Sequence, residues 1–251
     1  MPVYLDVGER LDDLMLQGYK IIQHPKRFCF SMDPVLLSAF VSVGAGERVI
    51  DLGAGNGILP LLLAGKTEAG EITGIEIQAE LAWMAKRSVK LNALEDRVRI
   101  VAGDLRDKDI VEQGTWDVVV TNPPYRRRGS GKVNPYSGKA IAHHEITCTL
   151  HDVVGAAARL LRDRGRFAMV YRPARLNELL REMDSAGIAP KRGRMVYPHA
   201  DSPANLVLVE GQKGGGPDMA WEPPLIVYKD RQGRYTEEAL KMYGMDAALE
   251  T

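Results

Sequence analysis

The chain has 251 residues, of which 45% are hydrophobic and 26% charged, a composition typical of globular proteins that bury a substantial core. Its 33 basic and 33 acidic residues balance, so overall charge does not indicate a nucleic-acid partner and only local clusters can do so. The first residues lack the pattern of a signal peptide, no apolar run is long enough to span a bilayer, and the two cysteines provide no disulfide framework, so we expect a soluble cytoplasmic protein.

The first third of the chain predicts a short strand, then a helix, then the start of a larger sheet. Residues 19–22 form the strand candidate. Asp33 and Pro34 mark the beginning of a helix, because Asp is a good N-cap and Pro suits the first turn. A strand at residues 47–51 is followed by a buried helix at residues 58–64.

Strand-like and helical segments continue to alternate as far as residue 210. The further predicted strands are residues 71–76, 98–101, 116–121, 166–171, 195–197 and 205–210, and the helices are residues 79–91, 145–161 (ended by Gly165), 174–185 and 236–243. This alternation predicts an α/β fold with a parallel, doubly wound sheet. We interpret the chain as one domain, with an N-terminal extension (1–32), a core (33–210) and a C-terminal tail (211–251) that begins with a flexible loop at residues 211–217.

A glycine-rich turn follows the strand at residues 47–51, where Asp51 precedes Gly53, Gly55 and Gly57. Glycines allow a sharp turn and a close approach of the backbone to a ligand. The pattern D-x-G-x-G-x-G differs from the G-x-G-x-x-G of dinucleotide sites, and the Asp51 carboxylate would repel a pyrophosphate. It suits S-adenosyl-L-methionine, which carries an ammonium and a sulfonium. A turn that binds no ligand is the alternative.

Acidic residues also follow the next two strands of the alternating region. Glu76 has the position that accepts hydrogen bonds from ribose hydroxyls, and Asp104 could accept one from an adenine amino group. Acids at the ends of three successive strands favour a cofactor site over ligand-free turns. The candidate cofactor-binding residues are Asp51, Gly53, Ala54, Gly55, Glu76, Ile77, Gly103, Asp104, Leu105 and Asn122.

The sequence Asn122-Pro123-Pro124-Tyr125 ends the fourth strand. Its prolines remove amide donors and stiffen the backbone, which leaves carbonyl oxygens without competing N–H groups. If the Asn122 side-chain oxygen and the Pro123 carbonyl accept both N–H bonds of an exocyclic amine, the nitrogen lone pair can point at a methyl donor. Tyr125 can stack on the ring that carries the amine. The motif predicts catalysis of N-methylation, the alternative being a rigid proline turn.

The stretch at residues 126–139 is basic, rich in glycine and free of acids. It predicts a mobile lid that contacts phosphates, unless it is a solvated loop. A second arginine cluster lies between Arg159 and Arg175, where solvated helix faces are the favoured interpretation. The candidate RNA-binding residues are Arg126, Arg127, Arg128, Lys132, Lys139 and His143.

Histidines cluster between the two basic regions. His143, His144 and His151 lie near Glu145 and Cys148, but their spacing matches neither H-E-x-x-H nor a paired C-x-x-C. We therefore expect no metal, and instead a helix start that places His143 or His144 near the substrate.

The D-x-G-x-G-x-G and N-P-P-Y pair resembles class I amino-methyltransferases. Over about residues 9–243 the chain is similar to the bacterial tRNA(Val) adenine-37 N6-methyltransferase family. The segments that carry this narrower resemblance are Arg10-Leu-Asp-Asp13, Lys20-Ile-Ile-Gln23, Phe28-Cys-Phe30 with Asp33, Gly74-Ile-Glu-Ile-Gln78, Ala85-Lys-Arg-Ser-Val-Lys-Leu-Asn92, Gly129-Ser-Gly131 and Asn205-Leu-Val-Leu-Val-Glu210.

The resemblance implies a Rossmann-like, seven-stranded sheet whose last strand is antiparallel. It also implies S-adenosyl-L-methionine as methyl donor, S-adenosyl-L-homocysteine as product, and an adenine beside the anticodon of tRNA as acceptor. By matching motifs, cofactor roles fall on Asp51, Gly53, Gly55, Glu76 and Asp104, catalysis falls on residues 122–125, and Asp33 lies by the cofactor from the N-terminal side. His143 stands where the family has an arginine, which leaves that RNA contact open.

Other methyltransferases use the same N-P-P-Y motif, which we call the acceptor clamp, on release-factor glutamine, ribosomal guanine or DNA adenine. The release-factor enzymes carry an extra helical domain and further motifs that this chain lacks, and DNA enzymes need roughly 100 more residues for target recognition. A catalytically silent RNA-binding module is a further alternative, which the intact Asp51, Glu76 and Asn122 disfavour. We expect tRNA as the partner and favour a monomer.

Overall fold

The structure, a computed structural model, describes residues 4–25, 29, 31–123 and 148–244. The strands are β1 (Arg10–Asp13), β2 (Lys20–Gln23), β3 (Arg48–Leu52), β4 (Glu71–Glu76), β5 (Val98–Ala102), β6 (Trp116–Thr121), β7 (Leu161–Tyr171), β8 (Ile188–Tyr197), β9 (Leu206–Lys213), β10 (Ala220–Trp221) and β11 (Leu225–Ile226). The helices are α1 (Asp33–Phe40), α2 (Ile58–Lys66), α3 (Ala79–Leu91), α4 (Leu150–Leu160), α5 (Leu176–Ser185) and α6 (Glu237–Tyr243), with a 3-10 turn at Pro173–Arg175.

One large sheet organises the described residues. Its strand order is β10-β8-β9-β7-β6-β3-β4-β5, with β11 also paired to β8. The pairs from β7 to β5 are parallel, whereas β9 runs antiparallel to both β7 and β8. The predicted α/β fold, with an antiparallel strand as the last long strand, is therefore confirmed. The predicted count of seven strands is wrong, since β10 and β11 extend the sheet to nine. Each has only two residues, too few to show a periodic pattern.

Helices cover both faces of the sheet, so successive residues of a strand are buried in two different cores. Val118 and Val120 pack in the core that includes α1, α2 and α3, while Val119 packs in the core that includes α4 and α5. Burying one such side chain contributes about 1.5–3 kcal/mol. None of the helices in the described ranges is both long and apolar enough to cross a membrane.

The helix predicted at residues 145–161 ends within one residue of its expected end, but the prediction that Gly165 stops it is wrong. α4 stops at Leu160, and Gly165 lies inside β7. The pairing of β7 with β6 shifts register after Leu161, and a Cβ on Gly165 would lie 2.9 Å from the carbonyl oxygen of Arg162 and 3.1 Å from that of Trp116. Glycine is needed there because an irregular strand passes close to neighbouring backbone.

The predicted loop at residues 211–217 begins too early. β9 reaches Lys213, and Gly211 lies opposite Phe167 of β7. A Cβ on Gly211 would lie 2.4 Å from the methyl carbon of Met183 in α5. This glycine therefore allows a helix to pack tightly on the sheet, and it does not mark a flexible connection.

The N-terminal extension contains a hairpin seated against the core. β1 pairs antiparallel with β2, which confirms the short strand predicted at residues 19–22 and adds a partner that the sequence did not predict. The amide of Ile22 donates to the Ser88 hydroxyl on α3 at 3.0 Å, and the side-chain amide of Asn56 donates to the carbonyl of Ile22 at 3.4 Å. The hairpin thus reaches the glycine-rich turn.

Candidate cofactor and acceptor site

The parallel strands end at one edge of the sheet, which we call the carboxyl edge. Asp51 lies one residue before the end of β3, Glu76 ends β4, and Asp104 follows β5 by two residues. Asn122 comes directly after β6, which pairs with β3. Since ligands of open α/β sheets bind outside the carboxyl ends of the strands, four of the predicted site residues lie where a ligand is expected.

Hydrogen bonds hold the glycine-rich turn against β4. The amides of Gly53 and Ala54 both donate to the carbonyl oxygen of Ile75 at 2.9 Å. The amide of Gly55 donates to Oε2 of Glu76 at 2.8 Å. The turn and the carboxylate therefore have a fixed relative position.

Glycine is required in this turn for two different reasons. Gly53 has φ 82° and Gly57 has φ 86°, left-handed values that other residues rarely adopt. A Cβ on Gly57 would also lie 2.9 Å from the Cβ of Ala85, because α3 packs closely there. In β4, a Cβ on Gly74 would lie 2.7 Å from the Cβ of Ala54. Small residues thus let the turn lie directly against its neighbours.

Glu76 is buried, at 2% exposure, and both of its carboxylate oxygens accept backbone hydrogen bonds. Oε2 accepts from Gly55 and Oε1 accepts from the amide of Gln78, each at 2.8 Å. A carboxylate oxygen can accept more than one hydrogen bond. Glu76 therefore keeps acceptor capacity for ligand hydroxyls while its orientation is set by the backbone.

Two buried oxygens beside the turn have no partner among the described residues. They are Oδ1 of Asp51 and Oδ1 of Asn56. Burial, and then the nearby charge of Glu76, raise the pKa of Asp51 well above its usual range. An unpaired buried acceptor costs about 1–3 kcal/mol, so a ligand with a cationic or N–H group at this position would stabilise the site. The ammonium of S-adenosylmethionine fits that requirement. Asn56 was missed by the sequence analysis.

A mainly apolar pocket opens beside the turn at the ends of β4 and β5. Its lining includes five of the predicted cofactor-binding residues and two residues that the sequence analysis missed. Its lining residues are Gly53, Ile75, Ile77, Gly103, Asp104, Leu105 and Cys148. Burial raises the pKa of the Cys148 thiol to about 11, so this side chain is neutral. An apolar pocket with one carboxylate in its lining suits an adenine ring.

Asp104 at the rim of this pocket is engaged by Arg106. The Arg106 Nε lies 3.0 Å and 3.1 Å from the two carboxylate oxygens, and the Arg106 amide donates to Oδ1 at 2.9 Å. The interaction with Asp104 raises the pKa of Arg106. Sequence reasoning missed Arg106, although a cation two residues after an acid in a turn is a signal that could have suggested it.

The described part of the acceptor clamp is Asn122 and Pro123, both half-buried. Thr121 anchors the preceding strand end, since its buried hydroxyl donates to the carbonyl of Leu52 at 2.7 Å. The remaining predicted residues of the clamp and of the basic loop lie outside the described residues. They are Pro124, Tyr125, Arg126, Arg127, Arg128, Lys132, Lys139 and His143.

Asp33 is the first residue of α1, where the helix dipole favours a carboxylate. It lies near Tyr243 at the end of α6. Burial, hydrogen bonding with Tyr235 and the charge of Asp33, among other nearby groups, raise the pKa of Tyr243. The proposed contact between Asp33 and the cofactor stays a prediction.

The arginine cluster at residues 159–175 does not form one surface. β7 separates its members, because Arg162 and Arg166 lie in the first part of that strand whereas Arg172 follows its carboxyl end. Arg162 pairs with Asp117 and Arg166 with Glu47. Most of the cluster therefore serves contacts within the chain. The favoured interpretation of solvated helix faces is wrong for Arg162 and Arg166, which lie on a strand and form ion pairs.

No group of three or more metal-binding side chains occurs in residues 4–25, 29, 31–123 and 148–244. His151 is exposed and lies 3.0 Å from a carboxylate oxygen of Glu182. His143 and His144 lie outside the described ranges.

Comparisons with known proteins agree with this geometry. The family model described as methyltransferase small domain matches residues 31–185, more than half of the chain. The tRNA1(Val) (adenine(37)-N6)-methyltransferase of Trichodesmium erythraeum is 27% identical over 212 residues, which cover 84% of this chain and 87% of that protein. The protein of the same name from Dyadobacter fermentans is 26% identical over 198 residues, covering 78% and 81%.

Among solved structures, one described as a predicted O-methyltransferase from Agrobacterium tumefaciens has a TM-score of 0.69. It covers 84% of this chain and 95% of its own chain at 21% sequence identity. At that identity the likeness concerns the fold, and it agrees with the Rossmann-like sheet described above.

Proposed function

The chain belongs to the methyltransferase small domain family, and on that premise we propose that it transfers the methyl group of S-adenosylmethionine to the N6 nitrogen of an adenine in tRNA. S-adenosylhomocysteine is the second product. Adenine 37, beside the anticodon, is the proposed acceptor, because the two curated relatives carry that activity in their names.

One observation carries the proposal. The unpaired buried oxygens of Asp51 and Asn56 lie at the carboxyl end of β3, and Asn122 follows the adjacent strand β6. A group that binds the cationic end of the cofactor and a group that binds an amine thus come from neighbouring strands. That neighbourhood is what transfer between a sulfonium and a nitrogen requires.

We assign the cofactor contacts by chemistry. Glu76 would accept hydrogen bonds from the ribose hydroxyls, and Asp104 would accept one from the adenine amino group. Asp51 and Asn56 would hold the ammonium of the methionine part. When bound, S-adenosylmethionine supplies an electrophilic methyl group on a positively charged sulfur. A carboxylate at each end, buried at Asp51 and held by Arg106 at Asp104, would fix that group in place because it loses little freedom on binding.

Asn122 and Pro123 would activate the acceptor. The N6 nitrogen of adenine is a poor nucleophile, since its lone pair is delocalised into the ring. Two carbonyl-type acceptors, the Asn122 side chain and the Pro123 backbone, would draw both N–H bonds out of conjugation and direct the lone pair at the methyl group. Neither is a base, so the proton released on methylation passes to solvent. Stacking by Tyr125 and phosphate contacts by residues 126–139 are parts of this proposal drawn from the sequence alone.

The reaction needs no Lewis acid, and we propose a metal-free monomer that acts in the cytoplasm on tRNA. We also propose that residues 1–251 form one methyltransferase domain, made up of the extension (1–32), the core (33–210) and the tail (211–251).

The experiment is mass spectrometry of nucleosides from unmodified bulk tRNA incubated with the protein and deuteriomethyl-labelled cofactor. The expected product is labelled N6-methyladenosine, mapped to position 37 by fragment analysis. Transcripts of tRNA(Val) with adenine or guanine at position 37 provide the matched substrates, and the Asn122→Ala protein provides the matched enzyme. Label on another nucleoside, or only on DNA or a release factor offered in parallel, would contradict the assignment.

A further inference from the structure

The chain after β11 forms a small hairpin at residues 228–235, which we call the tyrosine hairpin. Tyr228 and Tyr235 pair through an isolated antiparallel bridge, and the amide of Lys229 donates to the carbonyl of Arg234 at 2.9 Å. β11 is parallel to β8, and β8 points the same way as β7, because both are antiparallel to β9. The tyrosine hairpin therefore leaves the sheet at the carboxyl edge, where Asn122 also lies.

Four aromatic rings form a row along this edge. The rings of Tyr228 and Tyr235 are stacked, with centroids 5.2 Å apart and planes 24° apart. His199 extends the row at one end, 5.5 Å from Tyr228, and Tyr243 extends it at the other, 5.2 Å from Tyr235. All four side chains are half-buried, so each keeps part of its surface in solvent. The row ends beside Asp33, at the start of α1.

The tip of the tyrosine hairpin is basic. It contains three cationic residues, Lys229, Arg231 and Arg234, and one acidic residue, Asp230. Asp230 forms an ion pair with Arg234. Arg231 pairs with Asp201 through two contacts of 2.8 Å and 2.9 Å, and these side chains are 66% and 73% exposed. Ion pairs that exposed are weak, so a phosphate can take the place of the carboxylate.

We propose that the tyrosine hairpin together with His199 is a tRNA-binding surface separate from the loop at residues 126–139. Unpaired bases of the anticodon arm stack on the aromatic row, and the basic tip contacts flanking phosphates. This proposal rests on the proposed function, since it names where the same substrate is held.

The surface lies close enough to Asn122 for one anticodon arm to contact both. β11, which leads into the hairpin, is separated from β6 by β8, β9 and β7, so it lies roughly 19 Å from the strand that carries Asn122. One stem-loop can contact both places. A target adenine must leave its stack to reach Asn122, and stacking of neighbouring bases on protein rings offsets part of that cost.

The first test concerns charge. The triple variant Lys229→Gln, Arg231→Gln, Arg234→Gln is compared with Lys86→Gln, Lys90→Gln, Arg99→Gln, which removes three exposed cations from α3 and β5. Binding of unfractionated tRNA is titrated against potassium chloride. We expect the hairpin variant to lower the slope of log affinity against log salt by about 2, because each lost phosphate contact removes roughly 0.7–0.9. The control variant should keep the wild-type slope.

The second test concerns stacking. His199→Ala should weaken tRNA binding roughly 5- to 150-fold, the effect of one lost base–ring stack, while His199→Phe should restore it. Cofactor affinity and melting temperature should not change in either variant. A merely structural ring would lower the melting temperature without a specific loss of tRNA binding.

The outcomes separate this inference from the function it rests on. If the wild type forms N6-methyladenosine in tRNA but both hairpin tests leave binding unchanged, the surface is refuted and the function stands. If the variants bind tRNA normally but lose a protein partner, the surface serves protein recognition and the inference is overturned. If the wild type methylates no tRNA, both the function and the surface are wrong.

Discussion

The amide of Gly55 donates to Oε2 of Glu76 at 2.8 Å, so the glycine-rich turn and the acid at the end of β4 form one unit. A second amide, from Gln78, holds the other oxygen. The carboxylate is therefore set in place before a ligand arrives, and no side-chain freedom of Glu76 is left to lose on binding.

Glu76→Ala is expected to weaken S-adenosylmethionine binding by about 1–3 kcal/mol, because charge-assisted hydrogen bonds to the ribose are lost. Glu76→Gln should have a smaller effect, since one oxygen can still accept from the Gly55 amide. Calorimetry of both variants measures the difference. Equal affinity of the wild type and Glu76→Ala would show that the ribose lies elsewhere.

Asp51 should make the cofactor-free protein less stable as pH rises. Burial raises the pKa of Asp51 above its value in the unfolded chain, so between those two values the folded state binds more protons and its free energy of unfolding falls with pH. Asp51→Asn removes this titration. We expect its melting temperature to exceed that of the wild type by a margin that grows as pH rises above the unfolded pKa towards the raised native pKa, while cofactor affinity falls.

The matched control for that measurement is Asp117→Asn, because the pKa of Asp117 is shifted in the opposite direction. Burial alone would raise this pKa, but hydrogen bonds from the Arg48 amide and from Arg162 lower it overall. Its native pKa lies below the unfolded value, so its stabilising contribution is present above the unfolded pKa and is lost as pH falls through the native pKa. The two variants should therefore diverge from the wild type in opposite directions. A parallel response would refute the assignment for Asp51.

The sequence predicted the elements that have a periodic hydrophobic pattern or recognisable residues at their ends. α3 spans the residues that its amphipathic pattern indicated, and Asp51, Glu76 and Asn122 lie at strand ends as expected. Contacts between residues that are far apart in the sequence produce no such local pattern, so the sequence could not predict them. Gly165 looked like a helix stop because its close approach to Trp116 depends on the register between β6 and β7. The burial of Asn56 depends in the same way on a hairpin 34 residues earlier.

Arg106 should act on the cofactor only through Asp104. Arg106→Ala removes the guanidinium contact but keeps the backbone amide on the Asp104 carboxylate, so we expect cofactor affinity to fall by less than about fivefold, because the pair is partly exposed. Asp104→Ala should cost about 1–3 kcal/mol. Calorimetry with S-adenosylhomocysteine and with its inosine analogue, which lacks the adenine amino group, provides the readout. Asp104→Ala should affect the inosine analogue least. An equal loss for both ligands would argue against the adenine contact.

Lys66 should make stability rise with pH above neutrality. Its amine donates to the hydroxyl of Ser38 at 2.9 Å and to the carbonyls of Val35 and Met242, and burial lowers its pKa to about 8. The unfolded chain binds this proton up to about pH 10.4, so the free energy of unfolding increases between pH 8 and that value by about 3 kcal/mol. Lys66→Met should show a flat profile over the same range in urea titrations. Identical slopes for the two proteins would contradict the buried position of the amine.

Asn122 is expected to matter for turnover and little for binding. The carbonyl-type acceptors gain most when the N6 nitrogen becomes tetrahedral, so removing one raises the barrier without affecting the cofactor. Asn122→Ala should therefore lower kcat by at least ~100-fold and leave cofactor affinity within a factor of about three. Thr121→Ser is the matched control, since it keeps the hydroxyl that donates to Leu52 and removes only a methyl group. It should retain nearly full turnover. If Asn122→Ala instead loses cofactor affinity and keeps its kcat, Asn122 holds the methyl donor and another residue must orient the amine.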